Sequence, residues 1–112
     1  MKYFLSQPYM IRIVKMHFRD EEVENFLQLF NEVYPMISSF AGCSELRLLR
    51  DKHTENILFT YSIWDHEKSL EAYRNSELFA RTWKRTKALF AFKAEAWSVE
   101  EVTPGFLPPY TA

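Results

Sequence analysis

The chain has 112 residues, 47% of them hydrophobic and 17% aromatic, a length that suits one domain and a composition too apolar for a disordered segment. Its 14 Lys and Arg nearly cancel its 15 Asp and Glu, so no net field draws it to nucleic acid or to an anionic membrane surface. With one cysteine, Cys43, no intrachain disulfide can form, and no Cys or His pair has metal-ligand spacing; a reducing, cytoplasmic setting is expected.

Residues 1–9 read as an N-terminal extension without the apolar run of a secretion signal, and nowhere do about eighteen apolar residues follow one another, as a membrane span needs. A single domain is expected over 10–102. Met10 to Phe18 (MIRIVKMHF), rich in bulky and β-branched residues, predicts a first strand. Asp20 is then a candidate N-cap, with Glu21 and Glu22 set against the positive end of a helix dipole. Val23, Phe26, Leu27, Phe30, Val33 and Tyr34 form one apolar stripe on that helix, which Pro35 should kink or break before Gly42 ends the segment.

Cys43 to Arg50 alternates Leu46 and Leu48 against Glu45 and Arg47, a second strand, and the polar run Asp51 to Asn56 is a turn. Ile57 to Trp64 alternates most clearly, with Ile57, Phe59, Tyr61 and Ile63 on one face and Leu58, Thr60, Ser62 and Trp64 on the other. Asp65 can cap a short helix, and Ser76 with Glu77 a second one running to about Leu89. Ala91 to Val102 alternates again, a fourth strand, and residues 103–112, with three prolines and a glycine, form an extended tail.

Strand, helix, strand, strand, helix, strand is the order of a ferredoxin-like α+β domain, in which helices cover one face of a four-stranded antiparallel sheet. The other face is expected to carry Leu58, Trp64, Trp97 and one of the two sets of the first strand. So large an apolar patch marks an interface or a ligand groove, and a second copy of the chain is the economical cover. If two such sheets close into a dimeric α+β barrel, Thr60, Ser62, Arg47 and Glu95 would line a pocket inside each half.

Three stretches resemble the antibiotic biosynthesis monooxygenase family: Phe40-Ala41-Gly42-Cys43 leading into the second strand; Trp64 followed by Ser69-Leu70-Glu71-Ala72-Tyr73; and Ser76-Glu77-Leu78-Phe79 opening the last helix. The likeness spans roughly Met10 to Val102 and implies the dimeric barrel. Its members include cofactor-independent oxygenases of polycyclic phenols, quinol monooxygenases and haem-degrading enzymes. The resemblance therefore implies a cofactor-independent monooxygenase of a small aromatic quinol or phenol, without metal or organic cofactor. A non-catalytic homodimer that binds a small ligand is the alternative.

Two positions depart from the family. Thr60 stands where the polyketide-oxidising branch has an Asn four residues before the Trp, and it lacks an amide's paired donor and acceptor. The haem-degrading branch needs an axial His near Trp83, and no His follows His66.

The candidate catalytic residues are Trp64, Tyr73, Thr60 and His17, and the candidate pocket residues are Ser62, Arg47, Trp83, Glu95 and Trp97. Each has a plainer reading. Trp64 can plug the dimer core, Tyr73 can pack on a sheet edge, and Trp83 with Phe79 has the spacing of a helix core stripe. Arg47 and Glu95 can simply face solvent, and His17 can be a strand histidine rather than a base.

Overall fold

A computed structural model of the protein describes residues 9–102; the proposed tail and all but Tyr9 of the proposed extension lie outside the described residues. The elements are β1 (Met10–Phe18), α1 (Val23–Ser38), β2 (Cys43–Arg50), β3 (Ile57–Trp64), α2 (Glu67–Arg74), α3 (Glu77–Lys87) and β4 (Phe90–Val99). One four-stranded sheet has the order β2-β3-β1-β4, with antiparallel neighbours throughout. This is the expected ferredoxin-like arrangement. β1 and β2 run parallel on either side of β3 and are joined through α1, while β3 and β4 flank β1 and are joined through α2 and α3. Crossovers between parallel strands have a strongly preferred hand, so both connections put their helices on the same side of the sheet.

The core lies in that layer. Met16 and Phe18 of β1, Leu46 of β2 and Leu58 of β3 meet Phe26, Leu29, Val33 and Ile37 of α1. Trp64, Phe18 and Leu58 are the largest fully buried side chains, so Leu58 and Trp64 belong to the covered face and not, as the alternation alone suggested, to the open one. The physical reason is the hand of the crossover: alternation separates two faces, and chain chirality decides which of them α1 covers.

Local chemistry explains the other differences from expectation. Asp20 opens a single 3₁₀ turn, Asp20–Glu22, and does not cap α1. α1 continues through Pro35 to Ser38, because only one ladder bond is lost and the buried Val33 and Ile37 hold the helix on both sides. His66, not Asp65, caps α2, its Nδ1 accepting from the Lys68 N–H at 3.0 Å, while Asp65 accepts from the Ser69 hydroxyl at 2.6 Å. Ser76 caps α3 as expected, accepting from the Phe79 N–H at 3.1 Å. β4 starts at Phe90 and stops at Val99, and register irregularities opposite Lys15, His17 and Phe18 break its alternation.

Gly42 joins the two halves of the fold. Its φ of +93° is left-handed, its carbonyl accepts from the Asp65 N–H at 2.8 Å, and an added Cβ would collide with Ser69 and approach Asp65 Oδ1 to 2.7 Å. Gly42→Ala should therefore lower unfolding free energy by about 2 kcal/mol or more, strain and crowding together. Urea unfolding measures this; a variant within about 0.5 kcal/mol of the parent, the usual range for neutral surface changes, would contradict it.

Candidate functional site

Between the sheet and the helices lies a cavity of about 290 Å³. Its floor is the helix side of β1, β3 and β4, and the strand registers lay that floor out in rows. Ser62, Arg12 and Ser98 align in one row, of which Ser62 and Arg12 line the cavity, and Thr60, Val14 and Ala96 form the next, followed by Met16 with Leu58 beside it in the core. The floor thus grades from polar to apolar as it runs toward the core.

Aromatic side chains make the walls. Trp64 stacks on Tyr73 at 5.2 Å between ring centroids, Tyr73 meets the edge of Phe79 at 5.2 Å, and Phe79 stacks on Trp83 at 5.8 Å. Phe26, Phe30 and Val33 of α1 close the opposite wall. Each such aromatic contact adds about 0.5–1.5 kcal/mol beyond simple burial, so the chain of rings holds α2 and α3 to the sheet while it shapes the space.

The polar groups are few. The Trp64 indole N–H donates to Ser62 Oγ at 2.9 Å, so it orients the serine and is not free to meet a ligand. The buried Thr86 hydroxyl donates to the Thr82 carbonyl at 2.8 Å and is likewise satisfied. Tyr73 is different: its hydroxyl bonds no other described residue, and burial, with the Cys43 thiol adding to it, pushes its ionisation well above the usual tyrosine range. It is a neutral donor in an apolar wall.

The cavity gathers five of the expected residues: Thr60, Ser62, Trp64, Tyr73 and Trp83. It does not gather His17, Arg47, Glu95 and Trp97, which lie on the other face. His17 packs on Phe92 at 4.7 Å between rings, Arg47 pairs with Glu45 and sits over the Tyr61 ring, and Glu95 lies 3.9 Å from Lys15. Of the four residues expected to line a pocket in each half of a barrel, Thr60 and Ser62 line this cavity within one chain, and Arg47 and Glu95 do not. Sequence reasoning passed over Arg12 and Arg74, which line the polar end. Arg12 had a readable signal, being a charge in the same alternating set as Val14, Met16 and Phe18. Arg74, at the end of a short helix, had none.

Among the described residues, no group of three or more His, Cys, Asp and Glu side chains could hold a metal ion. No helix there is long and apolar enough to cross a membrane.

The profile of the family described as Antibiotic biosynthesis monooxygenase matches residues 10–85. A conserved protein of Methanosarcina mazei Go1 is similar in structure with a TM-score of 0.82 at 19% identity, covering 88% of this chain and 98% of that one. A crystal structure of an antibiotic biosynthesis monooxygenase is similar with a TM-score of 0.77 at 16% identity, over 83% and 98% of the two chains. A protein of Pseudomonas aeruginosa gives 0.75 at 18% identity, over 86% and 96%. At these identities the likeness is one of fold. No curated protein matches the chain.

Tyr73 yields a pH prediction. Its ionisation is raised in the folded chain, so its contribution to stability is complete below the unfolded value of about 10 and is lost as pH climbs above it, at up to about 1.4 kcal/mol per pH unit. Tyr73→Phe should therefore lose less stability than the parent between about pH 10 and 11. Urea unfolding of both proteins across that interval checks it; parallel losses would show that Tyr73 ionises freely.

Proposed function

Because the chain belongs to the antibiotic biosynthesis monooxygenase family, we propose that it is a monooxygenase whose substrate is a small aromatic quinol or phenol held between the sheet and the helices. The observation that carries this reading is the partly open space of about 290 Å³ walled by Trp64, Tyr73, Phe79 and Trp83, with the neutral Tyr73 hydroxyl among its donors. Apolar walls with a few directed polar groups are what a flat, electron-rich ligand requires.

The chemistry asks little of the protein. A substrate that has lost a proton to solvent is its own reductant for O2: oxygen bonds to the ring carbon, the peroxide anion takes a proton back from solvent and loses water, and one oxygen atom stays as a carbonyl while the other leaves as water. The chain's part is to exclude bulk water, fix the ring by stacking and donate to the substrate oxygen on which negative charge gathers. In this reading Tyr73 is that donor. Thr60 supplies one hydroxyl on the floor, a weaker substitute for an amide. No step needs a metal or an organic cofactor.

The other sheet face supports a homodimer. Phe92, Trp97, Val99 and Leu49 there are 63, 45, 40 and 46% exposed, beside the half-buried Phe59 and Tyr61. Covering that patch with a second copy removes it from water without touching the cavity.

Two measurements follow. Oxygen uptake with a panel of anthrones and naphthalene diols, in buffer free of flavin and metal, should exceed the protein-free rate, and Tyr73→Phe should lower the rate at least about tenfold while changing affinity little, as for a donor acting mainly in the transition state. Stabilisation by ligand with no product would favour the non-catalytic alternative. Light scattering should give twice the mass of one chain, and Trp97→Glu should shift it toward the monomer; a monomeric parent at micromolar concentration would sink the dimer.

A further inference from the structure

Arginine is unevenly partnered in this chain. Arg19, Arg47, Arg81 and Arg85 each meet a glutamate. Arg12, Arg50 and Arg74 pair with no carboxylate among the described residues; Arg50 ends β2 outside the cavity lining, whereas Arg12 and Arg74 share the polar end of the cavity. Arg12 rises from the floor row between Ser62 and Ser98, and its Nη1 donates to Ser98 Oγ at 2.8 Å, a contact that aims the guanidinium without neutralising it. Arg74 ends α2 above it, one residue beyond the ring that stacks on Trp64.

The helix dipole accounts for a cation at the end of α2. It does not account for a second cation on the covered face of the sheet. Burial and the Arg74 charge both work against the charged form of Arg12, so the pair stands in a field that an incoming anion would relieve.

We propose that Arg12 and Arg74 form an anion subsite at the polar end of the cavity, so that the aromatic ligand held there is a ring carboxylate. This deepens the aromatic-substrate reading and rests on it. The ring occupies the space between Trp64, Tyr73, Phe79 and Trp83, and its carboxylate reaches the two guanidiniums, whose planar forks match two coplanar oxygens. In a cavity of this volume, a ring and one planar anionic group fill both ends.

The test compares naphthalene carboxylate with its neutral isostere, naphthalene carboxamide, by tryptophan fluorescence quenching on the full chain at neutral pH. The parent should bind the carboxylate at least about tenfold more tightly, the scale of one charge-assisted hydrogen bond, and added salt should erode the difference. Arg74→Gln and Arg12→Gln should each bring the ratio toward one while leaving carboxamide affinity within about twofold. Arg74 is exposed, so its variant carries the test should Arg12→Gln fail to fold. A ratio near one in the parent, a ratio unchanged in the variants, or no binding of either probe overturns the proposal. Oxygen uptake is measured separately: carboxylate preference without turnover of any quinol would refute the monooxygenase reading and leave the subsite standing. Turnover without carboxylate preference would do the reverse.

Discussion

Trp64 is the point on which the rest of the molecule turns. It is 1% exposed, its indole N–H is spent on Ser62 Oγ, and its ring clusters with Tyr73 of α2 and Phe40 of the loop before β2, which also meet each other edge-on. One side chain therefore connects the end of β3, the start of β2 and the helix that crosses above them. The backbone repeats the tie, since the residue after Trp64 donates to Gly42. Removing the indole would leave Ser62 without its donor and Tyr73 without its stacking partner, so the fold and the cavity fail together.

That shared dependence explains why the aromatic content is so high. The rings continue from Tyr73 through Phe79 and Trp83 to Phe90, Phe18 and Phe26, linking α2, α3, β4, β1 and α1 in one path. Close packing would ordinarily fill such a layer. Here the floor beneath Tyr73 and Trp83 carries Val14, Thr60, Ala94 and Ala96, too small to reach the rings, and the cavity is the volume they leave. Small residues on the floor and large ones in the walls make a site out of what would otherwise be core.

Much of this was legible in the sequence. β1, β2 and β3 have the bounds that their alternation and flanking turns predict, and the serine cap of α3 follows from its residue type. What alternation could not supply was the covered side, because the hand of the crossovers, not the side-chain pattern, sets it. For that reason the alternation groups Trp64 and Thr60 with Ser62 but leaves open that theirs is the covered face, and it does not separate them from Arg47, Glu95 and Trp97, which lie on the other. β4 hid a second difficulty: its irregular register turns Phe92 to the side of His17, which an even count from Phe90 does not suggest. Arg12, passed over in the sequence, is a charge in an otherwise apolar set, and the register with Ser62 and Ser98 shows what surrounds it.

In the proposed function, ligand enters the layer between sheet and helices and leaves the open face alone. The chain carries three tryptophans, of which Trp64 and Trp83 line the cavity and Trp97 lies on the opposite face. Their indole N–H signals in a nitrogen-15 correlation spectrum form a built-in control. Titration with a naphthalene diol under anaerobic conditions should move the Trp64 and Trp83 signals together and leave Trp97 in place; movement of Trp97 with the other two fixed would put the ligand on the wrong side of the sheet and contradict the account.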